Sequence, residues 1–184
     1  MVSLPAQGTF PFGHPVGGIV QFAFTVADID TGMRDFTARL GVGPWFVTGP
    51  FETPQANYRG APTRIRLTLA IGFAGHVMVE LIQQHDDKPS VYRETVERCG
   101  GHGFHHWAIG SKSFDADLAG YRDAGYEVAF SDVAPRGNRV VYVDAGRDLP
   151  GMIEIIEMTD ALEARYAMMF AASQGWDGSE PVRR

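Results

Sequence analysis

The sequence predicts an α+β fold: two tandem βαβββ modules followed by a C-terminal helix. Three observations carry this expectation. A strand-then-helix stretch recurs 85 positions further on, an apolar strand with a central Glu recurs at an offset of 74, and glycines stand where both module helices should stop.

The first strand of each module is rich in β-branched and aromatic residues, Ile19 to Phe24 and then Phe104 to Ile109, with Gln21 in the phase of His106. Each is followed by a helix-capping residue, Asp28 and Ser113. Ile29, Met33 and Phe36 then make an i, i+4, i+7 apolar stripe, and Phe114, Leu118 and Tyr121 repeat it. Gly41 and Gly125 supply the expected helix stops. The remaining strands are expected near residues 45–48, 64–72 and 76–83 in the first module and near 127–131, 139–143 and 152–157 in the second. The last pair aligns Met78 to Gln83 with Met152 to Glu157. The change of offset requires a longer loop in the first module, and Pro50 to Thr63, carrying Pro, Gly, Asn and Thr, is that loop. The resulting domain layout is 17–84, a linker helix over 85–101 that begins at Asp87, Lys88 and Pro89 and ends at Gly100, a second module over 102–158, and a helix and tail over 159–184. Thr159 or Asp160 caps the last helix, which carries Leu162, Tyr166, Met169 and Phe170; Trp176 in the tail is expected to pack back on the body.

Composition narrows the function classes. Of 184 residues, 45% are hydrophobic and 21% charged, which is ordinary globular usage, and the net charge of −6 without a basic run speaks against nucleic acid. The single cysteine, Cys99, forbids an internal disulfide and suits a reducing cytoplasmic setting. The stretch from Met1 to Phe10 has no basic region followed by an apolar run, so no secretory leader is expected, and no stretch reaches the roughly 18 apolar residues that a membrane span needs.

The repeat also puts polar side chains inside apolar strands at matching places: Gln21 and Glu80 in the first module, His106 and Glu154 in the second. A carboxylate in such a strand is costly to desolvate unless it is paired or metal-bound. Four such residues in two repeats point to one shared centre, and three oxygens with one nitrogen suit a single divalent Zn, Ni, Co, Mn or Mg ion. The plainer reading is that Gln21 is a hydrogen-bonded core amide and that the two glutamates pair with Arg64, Arg66 or Arg139. Two choices stay open: His105 against His106, of which strand alternation turns only one inward, and Glu154 against Glu157. The match to Gln21 and Glu80 favours His106 and Glu154. His14, His76, His85 and His102 read as surface residues, Cys99 as a buried or idle thiol, and the run from Met168 to Phe170 as core packing.

On these residues, roughly Gly17 to Met158, the chain resembles the vicinal-oxygen-chelate superfamily of glyoxalase I, methylmalonyl-CoA epimerase, extradiol dioxygenases and bleomycin-resistance proteins. The run Gly103, Phe104, His105, His106, Trp107, Ala108 is similar to the epimerase branch, and the Gln, Glu, His, Glu set to glyoxalase I enzymes with Gln in first position. The resemblance implies an open, U-shaped mixed sheet around the metal, each module giving one ligand from its first and one from its last strand. It also implies a small-molecule substrate, a homodimer, and proton transfer next to a carbonyl through a metal-stabilised enolate, with Glu154 as base and Glu80 as its alternative or partner. The reaction would be an isomerisation, epimerisation or glyoxalase-like lyase step. Tyr58 and Arg59 in the long loop, Arg64 and Arg66 after it, and the aromatic residues Trp45 and Phe104 are the candidate substrate contacts, an arginine holding a carboxylate or phosphate. Two alternatives remain: a metal-free protein that sequesters a hydrophobic molecule in an aromatic cavity, and an extradiol-type dioxygenase. The latter normally needs two His and one carboxylate, and Gln21 stands where one His would be.

Overall fold

The computed structural model describes residues 8–146 and 148–184; residues 1–7, most of the segment read for a leader, lie outside them. Along the chain the elements are β1 (Ile19–Thr25), α1 (Ile29–Leu40), β2 (Trp45–Glu52), β3 (Asn57–Tyr58), β4 (Ala61–Pro62), β5 (Arg66–Ala74), β6 (Val77–Gln84), α2 (Val91–Cys99), β7 (Phe104–Ser111), α3 (Phe114–Asp123), β8 (Val128–Val133), β9 (Arg139–Asp144), β10 (Met152–Glu157), α4 (Asp160–Ser173) and β11 (Val182–Arg183). Both modules are present, and their strands form one open sheet in the order β11-β2-β5-β6-β1-β7-β10-β9-β8-β3-β4. Within each module the first and last strands run parallel, β1 with β6 and β7 with β10. The modules meet through antiparallel pairing of β1 with β7. Both modules therefore close within one chain, a point the sequence left undecided.

Local chemistry explains most element ends. Asp28 caps α1, its carboxylate accepting from the Thr31 amide at 2.8 Å, and Gly41 ends it in the left-handed conformation at φ 69°. Thr159 caps α4 by accepting from the Leu162 amide at 3.2 Å. The linker helix is capped by Ser90 rather than opening at Asp87, because the Ser90 hydroxyl accepts from the Arg93 amide. Ser113 occupies the N-cap position of α3 without a side-chain bond; Ser111 serves instead, accepting from the Ser113 amide and donating to Asp117.

The sheet separates an outer from an inner side. On the outer side, α1 buries Ile29 and Met33 against Trp45, Val47, Ala70, Val79 and Leu81. In the same way α3 buries Phe114 and Leu118 against Val141, Val143, Ile153 and Ile155. The inner trough is filled at both ends. One plug is α4 with Phe10 and Phe12 of the N-terminal segment, the Phe12 ring meeting Tyr166 edge-on at 5.6 Å. The other is α2 with Ala56, Ile65 and Tyr92. His14 belongs to the first plug and is half-buried, unlike the surface position expected, whereas His76, His85 and His102 are exposed. Cys99 is exposed, so the thiol is not a packing group. Trp176 does pack on the body: its ring sits so close over Gly43 (φ 158°) that an added Cβ there would lie 2.3 Å from it.

The long loop does more than connect. Its small hairpin β3–β4 adds a strand to β8, the far edge of the second module. Arg59, next to β3, is itself left-handed (φ 45°) and fixes this strap. Its guanidinium reaches Glu94 of α2 at 2.6 Å and Asp144 of β9 at 2.7 Å, and Tyr58 donates to Glu94 at 3.0 Å. Burial alone would raise the pKa values of Glu94 and Asp144, but the Arg59 hydrogen bonds outweigh it and hold both below their ordinary values of 4.5 and 3.8.

Groups whose folded-state pKa is lowered contribute stability that is present above the unfolded pKa and lost as pH falls through the folded one. Arg59→Ala is therefore expected to cost about 1–2 kcal/mol at neutral pH. That deficit should shrink as the pH drops below 4.5 and then 3.8. Urea unfolding of both proteins across this range is the check; a deficit independent of pH would contradict the ion-pair account.

Candidate metal centre

Four strands bring Gln21, Glu80, His106 and Glu154 to the middle of the trough floor, one side chain from each of β1, β6, β7 and β10. All four are buried, between 1% and 6% exposed except His106 at 0%. His106 Nε2 lies 3.1 Å from Glu154 Oε2 and 3.8 Å from Glu80 Oε2, and ligand atoms of the three residues lie within 4.8 Å of one another. Metal bonds of about 2.1 Å place ligand atoms about 3–4.2 Å apart, so a few tenths of an ångström of contraction would close this set on an ion.

The polar accounting supports that fit. Despite their proximity to the carboxylates, His106 Nε2 and Gln21 Oε1 are buried without a hydrogen-bond partner. Burial first and the neighbouring Glu154 second push the Glu80 pKa well above the ordinary 4.5, against the lowering effect of a side-chain hydrogen bond from Gln21. No arginine neutralises either glutamate among the described residues. Arg64 bonds Glu52 at 2.7 Å, and Arg139 bonds Asp115 and Glu157, each at 2.8 Å. The salt-bridge reading of the two buried glutamates is thereby removed, and Glu157 is committed to Arg139 on the rim. Two carboxylates and one imidazole lone pair within 4.8 Å of one another, with a buried, unpartnered amide oxygen on the neighbouring strand β1, are the kinds of donor a divalent cation requires.

His105 is placed differently from expectation, for a physical reason. The β1–β7 ladder steps from Ala23 opposite His106 to Phe24 opposite Phe104, leaving His105 as an extra residue in a β-bulge. Simple alternation therefore fails, and both rings lie on the inner side, 5.0 Å apart, each beside Tyr142. The two Nδ1 atoms are 2.8 Å apart. Burial, and then His106, lower the His105 pKa well below 6.5 and keep this imidazole neutral. A neutral His105 accepting at Nδ1 leaves His106 protonated on Nδ1 with its Nε2 lone pair toward the carboxylates, the arrangement that orients a metal-binding histidine.

Above this floor the trough opens as a cleft of about 810 Å3, its mouth included. Its walls are Phe46, Phe51, Leu67, Leu69 and Ile71 on one side and Phe130, Val140, Tyr142 and Ile156 on the other, with Leu162 and Tyr166 of α4 closing one end. Asp132 is the other carboxyl in the cleft; burial pushes it up to about 6, and its Oδ1 has no partner. The substrate contacts expected from the sequence lie elsewhere. Trp45 is fully buried on the outer side against Phe36, its Nε1 donating to Thr37 at 2.9 Å. Phe104 stacks edge-on with Phe24 and Trp107. Tyr58 holds the strap, and Arg64 and Arg66 are exposed outside the cleft. Residues that the sequence did not single out line the cleft instead: Tyr92, Tyr142, Asp132, Arg136 and Arg165. The phase of Asp132 with Phe130, two residues apart on β8, is the one signal that could have found any of them.

Because the raised pKa of Glu80 means that the metal-free fold binds its proton more tightly than the unfolded chain, the contribution of Glu80 to metal-free stability is fully present below pH 4.5 and is lost as pH rises through its raised folded-state value. Glu80→Gln is expected to raise the thermal midpoint of the metal-free protein by a few degrees at neutral pH, the gain vanishing below pH 4.5. The same variant should bind divalent metal more weakly by more than the ~10–100-fold that losing an outer-shell partner costs. Calorimetric scans with and without metal measure both effects; a destabilised metal-free variant would contradict the charge-repulsion account.

Comparison with known proteins agrees with this architecture. Residues 20–142 match the family described as the Glyoxalase/Bleomycin resistance protein/Dioxygenase superfamily. A search of curated proteins finds no match. Solved structures with a similar fold include a hypothetical protein from Bacillus halodurans C-125, at 17% identity and TM-score 0.57 over 78% of this chain and 95% of that one. Methylmalonyl-CoA epimerase from Mycobacterium tuberculosis is similar at 18% identity and TM-score 0.56, over 81% of this chain and 93% of its own. A Streptomyces coelicolor methylmalonyl-CoA epimerase is similar at 19% identity and TM-score 0.54, over 78% and 99%. With two βαβββ modules paired in one open sheet, four inward polar residues at the repeat positions and a family match over residues 20–142, this chain belongs to the glyoxalase/bleomycin resistance protein/dioxygenase superfamily.

Proposed function

We propose that the chain is a metal-dependent enzyme that moves a proton at a carbon next to a carbonyl: an isomerase, an epimerase or a glyoxalase-like lyase. The observation that carries this reading is the buried Glu80, His106 and Glu154 group, together with the unpartnered Gln21 Oε1, at the floor of an apolar cleft. The epimerases among its structural neighbours support the reaction class as an analogy of fold.

Gln21, Glu80, His106 and Glu154 would hold the ion, with His105 fixing the His106 ring. A divalent ion there supplies Lewis-acid stabilisation of the negative charge that develops on a substrate oxygen. Glu154 takes the proton from the carbon beside that oxygen and returns it to the product, and Glu80 is its partner across the site. The apolar walls formed by Leu69, Ile71, Val140 and Ile156 lower the local dielectric and so strengthen the charge interactions at the floor. A binder of hydrophobic molecules would use the same walls, but two buried carboxylates would only weaken its grip on such a ligand.

Proton transfer is tested by NMR in deuterated water, with the chain charged with Mn, Co, Ni or Zn and offered 2-substituted acyl thioesters and α-hydroxycarbonyl compounds. One C–H next to the carbonyl should exchange for deuterium. Glu154→Gln should slow the exchange ~10²–10⁴-fold. Undiminished exchange in that variant would remove Glu154 as the base. Absence of exchange in every substrate, together with tight uptake of apolar ligands by the metal-free chain, would replace the enzyme reading with the binding one.

A further inference from the structure

The cleft has a second charged feature that proton transfer at its floor does not use. Arg136, in the turn between β8 and β9, and Arg165, on α4, both line it, and among the described residues no lysine or other arginine does. Neither guanidinium ion-pairs with a carboxylate among the described residues. The arginines that hold the body together, Arg59, Arg64 and Arg139, are all committed to acidic partners. Arg136 reaches across the trough to β2, where its guanidinium makes a long 3.5 Å hydrogen bond to the Thr48 hydroxyl. Arg165 is half-buried, and burial first and the charge of Arg136 second pull its pKa below the ordinary range.

Two guanidiniums lining one apolar cleft without an ion-pair partner among the described residues leave a local positive charge, costly beside apolar walls, in a chain whose net charge is −6. An anion between them would relieve that cost with charge-assisted, forked hydrogen bonds. Asp132 shares the cleft, but no arginine pairs with it. The rim is also tied to the floor. Arg136, Arg165 and Tyr166 line the same cleft as Gln21, Glu80 and Glu154, so a single small molecule can span rim and floor.

We propose that Arg136 and Arg165 form an anion clamp at the mouth of the cleft. The molecule this chain acts on then has a carboxylate or phosphate at one end of an apolar body and two adjacent oxygens at the other, the latter directed to the Gln21, Glu80, His106 and Glu154 centre. This rests on the metal-centre reading above. It places the specificity-determining charge on α4 and on the β8–β9 turn rather than on the long loop.

The test uses suberic monohydroxamate, whose hydroxamate offers two adjacent oxygens and whose far end is a carboxylate. It is titrated beside its neutral methyl ester and the phosphonate-ended analogue onto the Ni-charged full chain. The expected result is at least ~10-fold tighter binding of an anionic probe than of the ester. Whichever of carboxylate and phosphonate binds better identifies the natural group. The double variant Arg136→Gln, Arg165→Gln should reduce the advantage to about onefold while the ester binds as before, which also reports an intact cleft; each single variant should lose part of it. Equal binding of all three probes to the wild-type chain, or an advantage that survives the double variant, overturns the clamp and leaves the metal centre standing. A chain that takes up no Ni, or that takes it up and binds no hydroxamate, overturns the metal-centre reading and the clamp together.

Discussion

The antiparallel pairing of β1 with β7 is the contact on which the rest depends. Each module alone offers an amide or an imidazole from its first strand and a carboxylate from its last, which is half a coordination shell. Joining the modules edge to edge at their first strands makes β6, β1, β7 and β10 the four central strands of one sheet. Inward side chains on four adjacent strands converge when the sheet curls, so the centre is a consequence of topology and register. The bulge at His105 belongs to the same pairing, and it lets one short strand supply both the candidate ligand and the residue that orients it.

The centre imposes a cost on the fold that the surrounding packing offsets. Two buried glutamates without an arginine raise the free energy of the metal-free state. The apolar plugs at the two ends of the trough, α4 with Phe10 and Phe12 and α2 with Tyr92 and Ile65, supply burial that this strained middle does not. The strap from β3 to β8, fastened by Arg59, ties the first module's loop to the far edge of the second, so the trough keeps its curvature without closing into a barrel. A rigid frame around a destabilised cluster of donors is a physically coherent way to keep a binding site preorganised.

Much of this was legible in the sequence because repetition is a strong signal. The phase match of Gln21 with His106 and of Glu80 with Glu154 marks the inward positions, and Asp28, Gly41 and Thr159 mark their helix ends. What was not legible depends on contacts between segments distant in sequence. The bulge that turns His105 inward is a property of the β1–β7 register, not of the residues flanking it. The hairpin at Asn57–Pro62 is too short to carry a periodic pattern and exists because β8 offers an open edge. Trp45 and Phe104 look like cavity aromatics in one dimension, yet alternation and helix packing turn them away from the cleft. Arg136 and Arg165, 29 positions apart, are brought together only by the way α4 folds back over the trough.

The central claim is that Gln21, Glu80, His106 and Glu154 together hold one divalent ion. Elemental analysis of untagged protein, with His106→Ala and Glu154→Ala prepared alongside, tests it most directly. The account predicts about one divalent ion per chain, lost in both variants while their folds persist. A wild-type chain that contains no metal, and takes up none of added Ni, Co, Zn or Mn, would contradict it.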